Sequence, residues 1–202
     1  ISIAKSVEIL NLSGNDIALV ENESFKNMKA IINLSLSRNS ISQIDIFAFI
    51  DLEKISILDL SDNRLEQSSF DNSMLERNEQ LTFLDLSRNN FMTTFDAPLL
   101  RSNSLNVLAL RNSHLSHIFD SFFSELPNLL NLDVSENLLI TLSSTAVKPL
   151  KELHVINLEY NRFFCELIEE TLKHFKSMKM IIKIDKCGKA SKKPMFEKMI
   201  MQ

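Results

Sequence analysis

One pattern of apolar residues and asparagine recurs seven times along most of this 202-residue chain. Each copy follows L-x-x-L-x-L-x-x-N-x-L, where x is variable and another apolar residue can replace Leu. A unit this short cannot bury its apolar face alone, so the fixed period predicts a solenoid of stacked units. The residues at the asparagine position are, in chain order, Asn15, Asn39, Asn63, Asn89, Ser113, Asn137 and Asn161.

Within each copy the segment x-L-x-L-x alternates apolar and variable residues, which is typical of a strand with one buried face. The Leu side chains are expected to point into the solenoid, and the x residues to form columns on its concave face. The Asn is expected to be buried and to bond the backbone of its own turn and of the neighbouring repeat, because an unpaired buried amide costs roughly a few kcal/mol. Ser113 can make only part of this network, so we expect the ladder to be weakest there.

The second half of each copy carries a further regularity. Successive Asn positions are 24 residues apart, except for 26 between Asn63 and Asn89. The aromatic residues ten positions after the Asn position are Phe25, Phe49 and Phe123. Over residues 7–187 this pattern resembles the 24-residue typical leucine-rich repeat. The resemblance implies an α/β repeat fold, a curved horseshoe of about seven repeats with a parallel concave sheet, a convex side of loops with a phenylalanine spine, and a C-terminal helical cap.

Two irregularities fall in the middle of the expected convex face. The two extra residues, around 68–73, are expected to bulge there or at the rim. In the next repeat Ala97-Pro98 stands where the spine aromatic is due, and Leu99 is expected to replace it.

The segment from Asn161 to Cys165 resembles the N-P-F-x-C start of the cysteine-rich cap on extracellular leucine-rich-repeat proteins. It departs from that motif, because Arg162 replaces Pro and Leu167 stands where the family has a second Cys. The resemblance implies a disulfide between Cys165 and Cys187; the alternative is two reduced thiols buried as small apolar residues. Apolar residues at helical spacing predict a helix over the last repeat, followed by a strand at 180–184; those residues are Leu167, Ile168, Leu172 and Phe175.

These patterns divide the chain into repeats over 1–163, a cysteine-containing cap over 164–188 and a basic tail over 189–202. Subtracting one period puts Ile1 at the Phe25 position, so the chain is expected to begin inside a repeat, as a fragment or mature chain of a longer extracellular protein. The tail is expected to be frayed, and the alternatives are a dimerising helix that is cut short and a membrane-proximal stub.

Charge and composition narrow the function classes. The net charge is −4, which argues against nucleic acid as the main partner, because phosphate binding favours a basic stripe. No run of 18 apolar residues occurs, so no membrane span is expected in this chain. The chain also lacks a Gly-rich phosphate loop and a G-x-S-x-G motif. We therefore expect no enzyme, cofactor or metal, with four surface histidines: His114, His117, His154 and His174.

The concave columns contain the candidate partner-binding residues. Ile57, Phe83 and Val107 follow one another in a column of exposed apolar residues, and such a patch usually marks a partner surface. Phe83 is the expected anchor because aromatic residues dominate binding hot spots. The remaining candidates are Asp59, Asp85, Arg88 and Arg111.

The charged candidates allow two interpretations. Asp59 and Asp85 lie on neighbouring strands and favour a cation from a partner, but L-D-L-S-x-N is also a common form of this repeat, which would make them generic. Arg38, Asp62 and Arg88 alternate in sign in the column before the Asn, which predicts an edge ladder that holds the register.

Three N-x-S sequons occur, at Asn11, Asn22 and Asn33. Those at Asn11 and Asn33 fall inside the N-L-S form of the strand pattern, whereas Asn22 falls in a convex loop. Asn22 is therefore the best glycosylation candidate if the protein is secreted.

The period, the spine and the cysteine cap together are similar to Toll-type receptor ectodomains and to secreted leucine-rich-repeat immune proteins of insects. The resemblance implies a secreted or cell-surface recognition module that binds a protein or microbial ligand through its concave strands, alone or paired with a second chain. Two alternatives remain open: an adhesion or matrix scaffold without a signalling role, and an intracellular adaptor whose cysteines stay reduced.

Overall fold

The computed structural model describes residues 6–188. The expected start inside a repeat, at residues 1–5, and the basic tail at 189–202 lie outside the described residues. Two helices are described, α1 (Ser144–Val147) and α2 (Cys165–Ser177). The strands of the described part are β1 (Ile9–Asn11), β2 (Leu19–Val20), β3 (Asn33–Ser35), β4 (Gln43–Ile44), β5 (Ile57–Asp59), β6 (Phe83–Asp85), β7 (Val107–Ala109), β8 (Asn131–Asp133), β9 (Val155–Asn157) and β10 (Ile181–Lys183).

Within residues 6–188, eight strands form one parallel sheet in the order β1-β3-β5-β6-β7-β8-β9-β10. Each strand contributes one central apolar residue to a continuous inward-facing row: Leu10, Leu34, Leu58, Leu84, Leu108, Leu132, Ile156 and Ile182. The short strands β2 and β4 pair separately, also in parallel. The predicted solenoid with a parallel sheet is therefore confirmed, and β10 extends the sheet by one strand into the cap.

The core runs the length of the stack. Pattern residues of the inner repeats are buried, whereas those of the first repeat, such as Leu10 and Leu12, are only partly buried and pack against the next repeat. On the convex side the rings of Phe25 and Phe49 stack with centroids 5.9 Å apart, which is the expected phenylalanine spine. Leu99 is buried at the spine position, as expected from the sequence.

The two extra residues between Asn63 and Asn89 are accommodated next to a short 3-10 turn at Gln67–Ser69. Gln67 is buried, and its side chain reaches the next repeat, where Nε2 donates to the Phe95 carbonyl at 3.2 Å. Gln67 and Phe70 are therefore packed into the stack, whereas Ser68 and Asp71 within the insertion are exposed.

The asparagine ladder is present, and Asn63 shows its geometry. Its Nδ2 donates to the carbonyls of Leu60 at 3.0 Å and Ser61 at 3.1 Å in its own turn, and to Leu36 of the preceding repeat at 3.0 Å. Its Oδ1 accepts from the Ile41 N–H at 3.0 Å. One amide thus satisfies backbone groups of two repeats at once, which is why the position favours Asn.

Ser113 makes only part of this network, as predicted. Its hydroxyl shares one hydrogen between the carbonyls of Leu86 and Arg111, each at 3.3 Å. The imidazole of His114 lies 3.2 Å from the Asn89 carbonyl through Nδ1, and His114 itself has a φ of 60°. The turn of the fifth repeat is therefore rearranged around the missing amide.

The cap contains the predicted helix, disulfide and strand. Cys165 and Cys187 are joined by a disulfide, with Cα atoms 5.1 Å apart. Beside it the Cys165 N–H donates to the Gly188 carbonyl, and the Gly188 N–H donates to the Phe163 carbonyl, both at 2.9 Å. The disulfide therefore ties the start of α2 to the chain that follows β10.

The buried face of α2 differs from its apolar spacing at one position. Ile168 and Phe175 are buried, but Leu167 is half exposed. Thr171 lies in the buried face instead, and its hydroxyl donates to the Leu142 carbonyl at 2.5 Å. A polar residue fits there because the preceding repeat offers an acceptor.

Candidate binding surface on the concave sheet

The apolar column lies on the solvent side of the sheet. Ile57 pairs in register with Phe83, and Phe83 with Val107, so the three side chains lie side by side on β5, β6 and β7. Ile57 is 37% exposed, while Phe83 and Val107 are half-buried. Neighbouring strands of a sheet are about 4.8 Å apart, so these side chains form one continuous row.

An open depression continues this row towards the cap. It begins at Phe83 and Val107, crosses β8 and β9, and ends at Lys183 on β10. Asp133 borders it, so the depression carries both an acidic and a basic group on an apolar floor.

The aspartates beside the row close the turns of their own repeats. Oδ1 of Asp59 accepts from the Ser61 N–H at 3.0 Å and from the Ser61 hydroxyl at 2.7 Å. Asp85 accepts in the same way from the Ser87 N–H at 2.8 Å. These hydrogen bonds give the two aspartates a structural role within their repeats, which supports the generic interpretation of the L-D-L-S-x-N form.

The chain itself places a cation, Arg88, near the carboxylates of Asp59, Asp62 and Asp85. Arg88 binds Asp62 at two points, with Nε to Oδ1 at 2.5 Å and Nη2 to Oδ2 at 2.7 Å. This hydrogen bonding holds the pKa of Asp62 below its usual value, and the more distant charge of Arg38 acts in the same direction. The carboxylates of Asp85 and Asp59 also raise the pKa of Arg88, after the larger effect of Asp62. The predicted edge ladder therefore has its direct contact between Arg88 and Asp62.

The last charged candidate is also paired within the chain. Nη2 of Arg111 lies 2.5 Å from Oε1 of Glu136 in the next repeat. This hydrogen bond raises the pKa of Arg111 and lowers that of Glu136. The candidate surface is thus an apolar row bordered on one edge by paired charges.

The edge of the sheet that carries these paired charges has an unusual backbone conformation, which the sequence pattern does not reveal. The residue before each ladder position has φ between 51° and 69°, although only the first of the seven is glycine. These residues are Gly14, Arg38, Asp62, Arg88, Asn112, Glu136 and Tyr160. From Gly14 to Glu136, each N–H donates to a carbonyl of the following repeat at 2.8–3.0 Å. A left-handed backbone conformation costs a residue other than glycine about 1 kcal/mol. The hydrogen bonds between neighbouring repeats offset this cost and hold these residues in that conformation.

The four histidines differ in their exposure to solvent. His114, His117 and His154 are exposed, as expected, but His174 on α2 is half-buried and its Nε2 is buried without a hydrogen-bond partner. His174 is therefore less exposed than the sequence predicted, and its ring lies beside that of Phe175 on the same helix, with centroids 6.2 Å apart. Among residues 6–188, no group of three or more His, Cys, Asp or Glu side chains could hold a metal ion.

The three sequons lie in different settings. Asn11 is exposed on β1, and its Oδ1 accepts from the Ser13 N–H at 2.9 Å. Asn33 is half-buried on β3, within the concave sheet. Asn22 is exposed outside the sheet, and its Oδ1 accepts from the Phe47 N–H at 3.2 Å.

Comparison with models of known protein families shows which family the chain belongs to. A family model described as Leucine rich repeat matches residues 5–65 and 103–163, together more than half of the chain, and a second model described as Leucine Rich Repeat matches residues 80–103. The chain belongs to the leucine-rich-repeat family. No curated protein sequence matches this leucine-rich-repeat chain significantly.

Solved structures of leucine-rich-repeat proteins match over most of its length. The crystal structure of a TLR13–ssRNA13 complex matches with a TM-score of 0.70 and 26% identity, over 80% of this chain and 23% of that chain. The structure of the Toll–Spatzle complex, described as a molecular hub in Drosophila development and innate immunity, matches with a TM-score of 0.72 and 20% identity, over 90% of this chain and 24% of that chain. The chain thus spans about a quarter of the length of these relatives. No helix in the described part is long and apolar enough to cross a membrane.

Proposed function

We propose that this chain is an extracellular, non-enzymatic recognition module that binds a protein ligand through its concave sheet, in an innate-immune or receptor-ectodomain setting. The observation that supports it most is the row of Ile57, Phe83 and Val107, which the parallel sheet holds in register on its solvent side. A contiguous apolar surface that is open to solvent often marks a protein-interaction site.

The chemistry of the row favours a protein over a nucleic acid. Its neighbours Asp59, Asp85 and Asp133 are carboxylates, and the nearest arginines, Arg88 and Arg111, are engaged by acidic residues of this chain. Phosphate groups favour several cations, and the depression that continues the row contributes one lysine, Lys183. An apolar row with a mainly acidic border better suits a protein with an apolar anchor and a basic rim. The relatives include both kinds of complex, one with ssRNA and one with Spatzle.

The extracellular setting is supported by two features. The Cys165–Cys187 disulfide is typical of oxidising compartments, and Asn22 lies exposed in a sequon. Within this proposal, residues 1–163 form the binding solenoid, 164–188 close it, and 189–202 form a basic tail. A paired arrangement with a second chain stays part of the proposal.

Site-specific photo-crosslinking of the secreted full chain tests the binding face. A photo-reactive phenylalanine analogue replaces either Phe83 or, as matched control, Phe95, which is 45% exposed but lies outside the concave strands. Each protein is exposed to conditioned medium and intact cells before irradiation, and the crosslinked proteins are identified by mass spectrometry. We expect a discrete partner from position 83 that is absent from position 95.

The outcomes separate the candidate functions. A soluble partner supports a recognition module, whereas an anchored adhesion or matrix protein supports the scaffold alternative. Crosslinks from position 95 alone would move the site away from the concave face. Saturable binding of a single-stranded RNA oligonucleotide, lost in Phe83→Asp, would replace the protein ligand with nucleic acid.

A further inference from the structure

A second exposed apolar surface lies outside the concave sheet, in the turn that follows β4. Phe47 is 50% exposed there, and Ile46 and Ile50 beside it are exposed as well; we call these three residues the Phe47 patch. Phe49, only two positions further along, is fully buried in the spine. The Phe47 patch is therefore an outward-facing feature of a turn whose other aromatic residue supplies the core.

Phe47 stands between two open depressions. The depression on the side of the preceding repeat is lined by Glu23, Lys26 and Ile50, among others, and the one on the side of the following repeat by Met74 and Arg77. Phe47 thus lines two depressions that are both open to solvent. A flat aromatic ring in this position offers a stacking surface to a small occupant.

The sequon residue Asn22 is hydrogen-bonded to the backbone of the Phe47 patch. Oδ1 of Asn22 accepts from the Phe47 N–H at 3.2 Å, and the Asn22 N–H donates to Oδ2 of Asp45 at 3.0 Å. The next sequon residue, Glu23, lines the same depression as Phe47. Because Oδ1 and Nδ2 belong to one planar amide, the nitrogen that would carry a glycan is held within a few ångströms of the Phe47 backbone.

We propose that an N-linked glycan on Asn22 is the occupant of the Phe47 patch, with its first N-acetylglucosamine packed against the Phe47 ring. The inference rests on the proposed extracellular function, because only the secretory pathway attaches this group. A pyranose ring presents a face of C–H groups, and the negative face of an aromatic ring attracts such positively polarised hydrogens.

The setting of Asn22 distinguishes it from the other two sequons. Asn11 lies on β1, where its Oδ1 closes the turn at Ser13, and Asn33 is half-buried within the concave sheet. A glycan on Asn22 therefore covers apolar surface on the outside of the repeats and leaves the row around Phe83 accessible.

Ser24→Ala provides the unglycosylated reference, because it destroys the sequon while Asn22 and its two hydrogen bonds remain. The Ser24 N–H bond to the Glu21 carbonyl, at 3.1 Å, is a backbone contact that this change retains. The wild type and Ser24→Ala are both secreted from eukaryotic cells, the occupancy of Asn22 is measured by glycopeptide mass spectrometry, and thermal unfolding is compared. We expect the glycosylated chain to melt about 2–4 °C higher.

The decisive comparison adds Phe47→Ala. We expect this change to reduce the difference between the glycosylated chain and its Ser24→Ala counterpart to less than about 1 °C, whereas Phe95→Ala leaves the difference intact. Phe95 is the matched control because it is 45% exposed and lies in a different repeat. Trimming the glycan to a single N-acetylglucosamine should preserve the difference, since the first sugar makes the contact.

An empty Asn22 in secreted protein overturns the inference and leaves the proposed function standing. A glycan whose stabilising effect survives Phe47→Ala also overturns it, because the sugar would then not be packed against the Phe47 ring. Failure of the chain to enter the secretory pathway contradicts the proposed function and this inference together.

Discussion

The side-chain oxygen of Asn137 accepts two backbone hydrogen bonds from the preceding repeat, from the N–H of Ser113 at 2.9 Å and from that of Leu115 at 3.0 Å. Its Nδ2 donates to three carbonyls, one of which, Leu110 at 2.8 Å, also belongs to that repeat. The repeat that lacks its own Asn is therefore held from the following one.

Substitution at these two positions should have unequal effects. Asn137→Ala leaves several buried backbone groups without partners, and each such group costs about 1–3 kcal/mol, so we expect unfolding to become easier by about 3 kcal/mol or more. Ser113→Ala removes one shared hydroxyl hydrogen and should cost about 1 kcal/mol. Urea unfolding followed by circular dichroism measures both. Equal losses would show that the ladder does not depend on Asn137 more than on Ser113.

The ion pair of Asp62 and Arg88 predicts a pH dependence of stability. Arg88 lowers the pKa of Asp62 below the ordinary 3.8, so the folded state favours the ionised carboxylate more than the unfolded chain does. The stabilisation is then complete well above the unfolded pKa and is lost as the pH falls through the lower folded pKa.

Asp62→Asn should therefore cost about 0.5 kcal/mol at pH 7, since the pair is partly exposed to solvent. The difference from wild type should begin to shrink once the pH falls below the ordinary value of 3.8, and it should go on shrinking as the folded carboxyl is protonated at still lower pH. Unfolding free energies measured at a series of pH values test this, with the exposed carboxylate of Asp16, changed to Asn, as the control. A difference that stays constant down to pH 2 would contradict the assigned pair.

Reduction of the disulfide should loosen the cap before the repeats. Cys165 and Cys187 are separated by 22 residues, and closing a loop of this size is worth roughly 3 kcal/mol. Because contacts in a solenoid join only neighbouring units, the loss should be largest in α2 and β10. Amide hydrogen exchange with and without reductant locates it, and Cys165→Ser with Cys187→Ser should show no further response to reductant. Uniform loss of protection along the chain would contradict a local role.

Phe83→Asp should weaken binding of the partner identified through position 83 by at least about 30-fold and leave the solenoid folded. Burial of an aromatic hot spot is worth at least about 2 kcal/mol, which corresponds to a dissociation constant about 30-fold weaker. The neighbouring core residues Leu84 and Leu108 face the other side of the sheet and remain buried. Surface plasmon resonance measures the affinity, and Phe95→Asp is the control; undiminished binding by folded Phe83→Asp would move the anchor elsewhere.

The period alone predicted much of the fold. The positions of Leu34 and Leu58 follow from it, because a side chain that recurs every 24 residues at the same point of a strand must share one face of the stack. The Asn ladder and its incomplete hydrogen bonding at Ser113 follow in the same way, whereas the phenylalanine spine was expected from the resemblance to the 24-residue leucine-rich repeat. The row of Ile57, Phe83 and Val107 could also be predicted, since strand alternation decides which side chains face solvent.

Other features required the stacked structure. The pattern did not reveal that Asp59 and Asp85 close their own turns or that Arg88 lies near both. It also did not distinguish the exposed Leu167 from the buried Thr171, whose partner is supplied by another repeat. The left-handed residues along the edge, such as Arg38, are stabilised by a carbonyl one repeat away. Spacing in the sequence determines which face of a repeat is buried, because that depends only on local strand geometry. The partner of each polar group depends on the distance between atoms in adjacent repeats, and only the tertiary structure decides that distance.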